Sequence, residues 1–550
     1  MRTALDRLGR TTIAAIALLI LLLPALPASA QMEETTRRAD DEGILYDRLV
    51  IRGATLINGN GAPPIGPVDI VIENDIITEV RTVGYPGLPL NTRGRPAAGT
   101  REIDWTGKYV MPGLVDMHAH TGGAPKAPQA EYVHKLWLAH GITTSRGVGH
   151  GGLTWSLEQA AMAESGEIAA PRMFTYARPG DAWEGGAIDT PEKAREWVRF
   201  IAEYTVDGAD VDGLKLTSFP PAIMAALIDE AHQHGLGTVA HLAQMGVGEL
   251  TAMDAAEMGL DQITHFYGLF ESMLDNGYTI QDYPLDYNYQ NEQHRFGQVA
   301  RLWSQSAEPG SDKWNETIDR FIELGFSIDP TMTIYEASRD LMRAMQAEWH
   351  AEYTLPSLWD YYTPSRAAHG SYWFYWTSED ESEWQRFYNK WMTFLNDFKN
   401  AGGVVTTGSD SGFIYKLFGF DYIRELELLR EAGFHPLEVI RAATMHGAQQ
   451  LYEPRGMENE IPFGLVQPGM KADLVLVHEN PLENLKVLYG TGGVRLNDET
   501  GEVGRTEGIG YTIANGRVYD VPRLLAEVRE MVAAQKRERS ITDGAGAGAN

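Results

Sequence analysis

Residues 112–120 read PGLVDMHAH, and this short stretch decides the fold. It opens with a Pro-Gly turn signal, continues as an apolar run and ends on His118 and His120, two residues apart. Successive side chains of a strand point to opposite faces, so these two imidazoles point the same way and can hold one metal ion. The stretch therefore predicts a strand with metal ligands at its C-terminal end.

After this point, short apolar runs alternate with helical stretches along most of the chain. Helices are predicted at 191–205 and 221–233, which open with proline, and at 315–324, where Asn315 can cap the first turn. Alternating strands and helices build a parallel sheet, and eight repeats close a TIM barrel. We predict an α/β fold with a (β/α)8 barrel over residues 109–461, with an open doubly wound sheet as the alternative. The eight runs begin near Leu114, Ile142, Met173, Leu214, Thr238, Gln262, Phe326 and Val404.

The two ends of the chain contain strand patterns of another kind. Residues 44–108 and 462–521 have short apolar runs broken by Gly, Pro and Asn, which is typical of strands and turns. We predict that the two segments pair into one small β-sandwich beside the barrel. Residues 31–43 are predicted to form a flexible leader, and residues 522–550 a C-terminal helix with a disordered tail.

Two predicted connections are longer than a barrel needs. They are about 270–311, after the sixth strand, and about 335–400, after the seventh. Eight of the 13 tryptophans lie within 301–400. Long loops after barrel strands lie over the active face. Three interpretations follow for the aromatic residues: a core of the insert itself, a lid over an apolar substrate, or a dimer interface.

The composition excludes several classes of protein. The 550-residue chain is 43% hydrophobic and 22% charged, an ordinary globular balance that excludes a disordered or multi-pass membrane protein. Lys and Arg number 46 against 75 Asp and Glu, and the resulting net charge of −29 repels phosphate backbones, so no nucleic-acid partner is predicted. The absence of cysteine excludes disulfides, thiolate metal ligands and cysteine nucleophiles.

The first thirty residues have the three parts of a secretory signal. Three arginines precede an apolar run at 13–23, and the small residues Ala28, Ser29 and Ala30 follow it. We predict a signal peptide over residues 1–30, cleaved after Ala30, and a periplasmic or secreted protein with no stable membrane anchor. An uncleaved anchor is the alternative, although this apolar run is short for a bilayer span.

Polar residues occur at the ends of four later predicted strands. Lys215 lies in the fourth strand and His241 ends the fifth. His265 ends the sixth strand, and Asp410 follows the eighth. Each residue alone has a structural explanation, as a packed histidine, a snorkelling lysine or a turn-capping carboxylate. Because catalytic groups of a barrel gather at the C-terminal ends of its strands, these residues and the two histidines of the first strand predict one metal site.

Together the motifs resemble the metal-dependent amidohydrolase superfamily, in its imidazolonepropionase-like and prolidase-like branch. They extend over roughly residues 44–520. The resemblance implies a TIM-barrel hydrolase, and it is much less specific for the substrate. The motifs are PGLVDMHAH (112–120), HGITTSRGVG (140–149), GLKLTS (213–218), AHLAQ (240–244), ITHFYG (263–268), GSDSG (408–412) and GLVQPGMKADLVLV (464–477).

The resemblance also implies two divalent metal ions. Zn²⁺ suits imidazole and carboxylate donors, and Mn²⁺, Co²⁺ or Fe²⁺ can take the same ligands. N-carboxylated Lys215 would bridge the ions, because a carbamate is an anion whereas an ammonium would be repelled. One ion and an unmodified lysine is the alternative. The implied ligands are His118, His120 and Asp410 for the more buried ion, and His241 and His265 for the second.

The implied reaction is hydrolysis of an amide or peptide-type C–N bond by a metal-activated hydroxide. Asp410 would act as general base and then as general acid toward the leaving amine. Arg146, His150, Arg178 and Tyr267 lie near the ends of barrel strands, where they are expected to contact substrate, with packing roles as the alternative.

The expected substrate is a small amide or peptide, such as an Xaa-Pro or other dipeptide or an N-acyl amino acid. Hydrolysis of a cyclic amide or a lactone in the same site is one alternative. A non-catalytic binding protein of the cell envelope is another, of a different class. Homo-oligomers are common in the superfamily, although no interface can be read from this sequence.

Overall fold

The computed structural model describes residues 35–91, 93–123, 126–148, 151–244, 246–364, 370, 372–373 and 376–540. The predicted signal peptide at 1–30 and residues 541–550 of the predicted tail lie outside the described residues. Within the described ranges, no helix has the length and apolar character that a membrane crossing requires.

Six strands precede the barrel. β2 carries two register shifts, between Ile51 and Ala54 and between Ala54 and Leu56. Its first half pairs with β5 and its second half with β6, so the neighbouring strand on this edge changes partway along β2. The strands are β1 (Ile44–Leu45), β2 (Arg48–Leu56), β3 (Ile65–Glu73), β4 (Ile76–Thr82), β5 (Arg101–Asp104) and β6 (Tyr109–Pro112).

Eight parallel strands follow and curl into the barrel. Each pairs with the next in chain order. The first and eighth strands also meet, because the N–H of Met117 donates to the carbonyl of Thr407 at 2.9 Å. The barrel strands are β7 (Leu114–Ala119), β8 (Ile142–Gly147), β9 (Arg172–Ala177), β12 (Gly213–Leu216), β13 (Gly237–Ala240), β14 (Gln262–Thr264), β15 (Ser327–Asp329) and β16 (Val404–Val405), with a small hairpin of β10 (Thr205–Val206) and β11 (Ala209–Asp210) after the third.

The predicted barrel is therefore confirmed. All eight strands begin within one residue of the predicted starts. The reason is physical: these runs are buried on both faces, so they are continuously apolar and begin sharply after a turn. β7 is buried at all six of its positions.

The C-terminal segment completes the small β unit that was predicted from the two chain ends. The strands of both chain ends form one sheet in the order β1-β21-β20-β17-β6-β2-β3-β4, with β5 on β2. Its apolar core takes Ile70 and Trp105 from one end and Leu474 and Ile513 from the other, so the prediction of a small β unit built from both ends is confirmed. The added strands are β17 (Leu474–Val477), β18 (Val494–Leu496), β19 (Val503–Arg505), β20 (Ile509–Ala514) and β21 (Arg517–Asp520), of which β18 and β19 pair separately.

Helices cover the outside of the barrel and form the inserts. Those before the eighth strand are α1 (Ala130–Ala139), α2 (Leu153–Ser165), α3 (Pro191–Ala202), α4 (Pro221–Gln233), α5 (Ala252–Glu257), α6 (Glu292–Val299), α7 (Leu302–Gln305), α8 (Asp312–Glu323), α9 (Met332–Arg339), α10 (Leu341–Met345), α11 (His350–Tyr353), α12 (Pro356–Tyr362) and α13 (Ser378–Asn400). After it come α14 (Phe420–Glu431), α15 (Pro436–Arg441), α16 (Gly447–Tyr452) and α17 (Val521–Glu538). A π-helical turn at Ala442–His446 joins α15 to α16, and 3₁₀ turns lie at Glu271–Met273, Glu453–Arg455 and Leu485–Leu488.

The helix starts at proline agree with the structure, whereas the third predicted start does not. α3 and α4 begin at Pro191 and Pro221 as predicted. α8 begins at Asp312, three residues before the predicted start at Asn315. Its cap is Ser311, whose hydroxyl accepts the N–H of Trp314 at 3.4 Å, so serine takes the role assigned to asparagine.

The aromatic residues of the inserts pack against one another. Trp384 and Trp391 of α13 are fully buried, and Phe266 contacts both rings edge-on at 5.8 and 5.2 Å. Tyr335 of α9 stacks on Trp384 at 5.9 Å. The inserts therefore have an aromatic core of their own, which continues to the C-terminal end of the barrel because Phe266 directly follows His265.

Both chain ends contact the barrel. In the segment 35–43, Arg38 donates from Nε to the carbonyl of Gly166 at 2.9 Å. Lys135 of α1 pairs with Glu527 of α17 at 2.5 Å. These contacts hold the first described residues and the last helix against the outer helices.

Candidate active site

Histidines from the ends of two strands converge on one carboxylate at the end of a third. Asp410, in the loop after β16, has Oδ1 3.0 Å from His120 Nε2 and 3.7 Å from His118 Nε2. Its Oδ2 lies 3.6 Å from Nε2 of His265, which directly follows β14. Ligand atoms of His118, His120 and Asp410 all lie within 4.8 Å of one another. These three side chains can bind one cation.

The two remaining predicted ligands lie beside His265. Nδ1 of His241 is 3.1 Å from His265 Nε2, and the ring centroids are 4.4 Å apart. Lys215 in β12 is buried, and its Nζ donates to the Thr264 hydroxyl at 3.3 Å. Burial, followed by the charge of Arg146, lowers the pKa of Lys215 to about 7. The structure thus brings all six predicted ligands to one end of the barrel.

A threonine sets the tautomer of His265. The Thr331 hydroxyl donates to the carbonyl of Pro330 at 2.7 Å and also contacts Nδ1 of His265. A hydroxyl has one proton, and this one is used in the hydrogen bond to Pro330. The hydroxyl oxygen therefore accepts a hydrogen bond from Nδ1–H of the imidazole. Nε2 of His265 is left unprotonated and faces Asp410 and His241, as a metal-binding imidazole requires.

The environment of three site histidines, His118, His120 and His265, favours their neutral form. Burial lowers the pKa of His118 and His265 well below the usual value, and burial also lowers that of His120. Imidazole binds metal only in its neutral form. Their environment therefore keeps these rings ready to bind metal.

The backbone is strained at three positions of the site. His265, Thr331 and Asp410 have φ values of 67°, 48° and 48°, in the left-handed region. That conformation costs a non-glycine residue roughly 1–2 kcal/mol. Two hydrogen bonds hold it, from His265 N to Asp329 O at 3.0 Å and from Asp410 N to His118 O at 2.9 Å. Such strain concentrates at functional sites.

Asp116 ties the first strand to the loop that carries Asp410. Its Oδ1 accepts the backbone N–H of His118 at 3.1 Å and of Ser409 at 3.0 Å. Its Oδ2 accepts the Ser409 hydroxyl at 2.7 Å, and burial raises the pKa of Asp116 to about 7. The sequence patterns did not single out this residue, which positions His118 and Asp410 relative to each other.

Asp329, at the end of β15, is a second residue that the sequence patterns missed. Its Oδ2 lies 3.9 Å from Nδ1 of His118 and 3.7 Å from Nη2 of Arg146. Neither oxygen of Asp329, nor Nδ1 of His118, has a hydrogen-bond partner among the described residues. Burial raises the pKa of Asp329 to about 7. The available signal was its place at the end of a barrel strand.

Gly408 leaves room for the side chains of Asp329 and His118. A Cβ at this position would lie 2.6 Å from Asp329 Oδ2 and 2.7 Å from His118 Cβ. Both distances are below the closest contacts of real side chains, so glycine is required here.

The residues present fit divalent cations. The donors are neutral imidazoles and a carboxylate, which suit Zn²⁺ and related ions. The buried carboxylate of Asp329 and Nδ1 of His118 have no described hydrogen-bond partner, and buried polar atoms in that state are costly. A divalent cation bound at the site would offset that cost for the carboxylate of Asp329.

The predicted substrate residues have different environments. Arg146 is 1% exposed, and its Nε donates to the carbonyl of Met117 at 2.7 Å. Tyr267 stacks on His241 with ring centroids 5.2 Å apart. Arg178 is exposed and donates to the carbonyl of Val148 at 2.8 Å. The fourth, His150, lies outside the described residues. Substrate contact stays a prediction for all four.

Comparison with known proteins supports the resemblance seen in the motifs. No family model matches the chain. An adenine deaminase from Methanoculleus marisnigri is 37% identical over 118 residues, which are 20% of this chain and 21% of that protein. An enamidase from Eubacterium barkeri is 25% identical over 229 residues, 39% of this chain and 55% of that protein. The matched regions thus span at most about half the length of these two relatives.

Solved structures with the same fold cover far more of the chain. The crystal structure of a Xaa-Pro dipeptidase with bound methionine in its active site superimposes with a TM-score of 0.55 and 20% identity. The match covers 86% of this chain and all of that one. At this identity the structural match shows the fold, and it confirms the predicted barrel with its sheet from the chain ends. The curated relatives agree with the predicted resemblance to the amidohydrolase superfamily.

Proposed function

We propose that this protein is an exported metal-dependent hydrolase that cleaves an amide or peptide-type C–N bond of a small molecule. One observation carries the proposal: histidines from β7 and the end of β14 converge on the carboxylate of Asp410. Hydrolysis at such a site needs a bound water and a group that can take up and return a proton.

Residues of the chain would bind the metal ions and transfer the proton. His118, His120 and Asp410 would hold one ion, and His241 and His265 the second. When bound, such ions would lower the pKa of a water and polarise a scissile carbonyl. Asp410 is the carboxylate that lies against His120, His118 and His265, and its side chain is 14% exposed, so it can receive a proton from a water bound there and pass it to the leaving nitrogen.

Lys215 would bridge the ions as a carbamate. Its lowered pKa leaves part of the amine uncharged at neutral pH, and the uncharged amine adds to CO₂ and releases a proton. The positively charged ammonium, which would repel a metal cation, is thereby replaced by a negatively charged carbamate, which attracts it. A Lys215→Ala variant should bind one ion per chain instead of two when metal content is measured by elemental analysis. One ion per chain in both the wild type and the variant would favour the alternative of a one-metal site with an unmodified lysine, and two ions in the variant would contradict a bridging role for Lys215.

The most useful experiment is a hydrolysis screen by mass spectrometry. Residues 31–550, loaded with Zn²⁺ and bicarbonate, are incubated with Xaa-Pro and other dipeptides, N-acyl amino acids, cyclic amides and lactones. We expect cleavage of open-chain amides. Ring opening alone would indicate a cyclic-amide hydrolase or lactonase instead, and no turnover despite two bound ions would contradict the proposal in favour of a binding protein.

The matched control for this screen is Asp410→Asn, which keeps the shape of the side chain. General acid–base catalysis contributes roughly 10²–10⁴-fold, so kcat should fall by that factor. Metal content is measured on the same sample, because Asp410 is also a ligand. A variant that keeps its metal and more than about a tenth of kcat would remove Asp410 from the proton-transfer role.

Export rests on residues 1–30, which lie outside the described part of the chain. We expect the protein expressed with this segment to be recovered from the periplasm or medium with Gln31 as its first residue. N-terminal sequencing of the recovered protein tests this, and an intact N-terminus in the membrane fraction would contradict it.

A further inference from the structure

Lys126 is a cation at the mouth of the site that no motif accounts for. It lies in the loop between β7 and α1. Two backbone hydrogen bonds close this loop, from Gly123 N to Ala127 O at 3.0 Å and from Ala127 N to Gly123 O at 2.9 Å. The hydroxyl of Ser357 donates to the carbonyl of Lys126 at 2.6 Å. The backbone of Lys126 is therefore held in place from both sides.

The ammonium of Lys126 is held between aromatic rings. Its Nζ lies 3.2 Å from the centroid of Phe413 and 4.3 Å from the centroid of Tyr361. Within the described part of the chain, no carboxylate forms an ion pair with it and no acceptor forms a hydrogen bond with it. Cation–π contacts stabilise a cation less than an ion pair does in a desolvated place. Among the described residues, an anion entering the site would thus be the first ion-pair partner of this ammonium.

The position of Lys126 relates it to the reacting groups. Phe413 lies three residues after Asp410, and its ring contacts His120 edge-on at 5.5 Å. Burial lowers the pKa of Lys126 to about 7, and the charge of Asp410 opposes this effect, so the two groups interact. A carboxylate bound beside Lys126 would favour its charged form further. Lys126 therefore lies on the side of the site that holds Asp410 and His120.

We propose that Lys126 is the residue that binds the carboxylate on the amine half of the substrate, which favours such amides over their uncharged carboxamides. This inference rests on the proposed hydrolase function. In that function Asp410 returns a proton to the leaving nitrogen, so the amine half of the substrate lies next to Asp410. A carboxylate one carbon from that nitrogen then lies toward Lys126, where the rings of Phe413 and Tyr361 exclude water and strengthen the ion pair.

The test compares two substrates that differ in this carboxylate alone. One is an N-acyl amino acid with a free carboxylate, and the other is its carboxamide. A charged hydrogen bond contributes about 1.5–3 kcal/mol, so the preference for the carboxylate, as a ratio of kcat/KM values, should fall about 10–100-fold in Lys126→Met. The change should appear in KM more than in kcat, because this contact is present before the reaction begins. Lys126→Arg should restore part of the preference.

The matched control is Lys193→Met, which removes a partly exposed lysine on α3 that pairs with Asp189 at 3.1 Å. Its substrate preference should equal that of the wild type. If Lys126→Met lowers kcat/KM equally for both substrates, or alters neither, Lys126 does not recognise a carboxylate and the inference is wrong. If the wild type cleaves neither substrate nor any other amide of the screen, the proposed function itself fails, so the two failures are distinguishable.

Discussion

At the scale of single residues, the hydroxyl of Thr331 determines which nitrogen of His265 can bind metal. The hydroxyl donates a hydrogen bond to the carbonyl of Pro330 and accepts one from Nδ1–H of His265. Thr331→Val has the same shape without this acceptor. Loss of such a supporting hydrogen bond typically lowers metal affinity about 10–100-fold. A competition titration with a chromophoric chelator, at pH 7, should show this decrease in the affinity for Zn²⁺.

Thr331→Ser is the matched control, since it keeps the hydroxyl. It should bind Zn²⁺ nearly as tightly as the wild type. Equal affinities for Thr331→Val and the wild type would mean that the tautomer of His265 is set by another contact, such as that with His241 at 3.1 Å.

Residues of this site divide into those that the sequence could predict and those that it could not. His118, His265 and Asp410 were predictable because each lies at or near the end of an apolar run, and parallel strands bring such ends together. Thr331 and Lys126 were not predictable. Both lie in loops, and their roles depend on contacts with residues far along the chain, from Lys126 to Phe413 for example.

At the scale of elements, one buried carboxylate joins two helices behind the seventh and eighth strands. Glu336 of α9 accepts from Arg424 of α14 at 2.6 Å and from Lys416 at 2.7 Å. Glu336 and Lys416 are each 2% exposed. Removing one partner of a buried pair typically costs about 3–5 kcal/mol. Lys416 keeps Asp421 at 3.3 Å and Arg424 keeps Glu427 at 2.8 Å, which places the expected cost at the lower end of this range. Glu336→Gln should therefore lower the free energy of unfolding by about that amount, measured in urea at pH 7.

The pH dependence of this effect has a definite sign. Burial alone would raise the pKa of Glu336, but Lys416 and Arg424 hold it well below the usual range. A carboxyl group with a lowered pKa stabilises the fold above its unfolded pKa of about 4.3, and this contribution decreases as the pH falls. The difference between the wild type and Glu336→Gln should thus be largest at pH 7 and smaller at pH 4. A difference that grows with acidification would contradict the assignment.

Barrel strands and inserts were not equally predictable. The strand starts were predictable because a strand buried on both faces requires an uninterrupted apolar run. The inserts were not, since apolar and aromatic residues there pack in a pattern set by tertiary contacts, such as Tyr335 on Trp384. The start of α8 shows the same limit on a smaller scale: both Ser311 and Asn315 can cap a helix, and the packing of Trp314 and Phe321 decides between them.

At the scale of the whole molecule, one buried ion pair joins the barrel to the sheet made from the chain ends. Arg172, the first residue of β9, donates to Asp473 beside β17 at 2.5 Å and also to the side chain of Asn515. Asp473 accepts the N–H of Asn515 at 2.7 Å with its other oxygen. The guanidinium lies 4.7 Å from the ring of Phe463. These contacts link segments that are about 300 residues apart in the chain.

Arg172→Met should loosen this junction while the metal site stays intact. It leaves the carboxylate of Asp473, whose side chain is 2% exposed, without its charged partner, a change that typically costs about 3–5 kcal/mol. Urea unfolding followed by tryptophan fluorescence should show a midpoint below that of the wild type, with unchanged Zn²⁺ content before unfolding. The double variant Arg172→Met/Asp473→Asn should recover part of the loss, because no buried charge is then left unpaired. If it is no more stable than Arg172→Met, the guanidinium stabilises the junction through packing on Phe463 instead of through its charge.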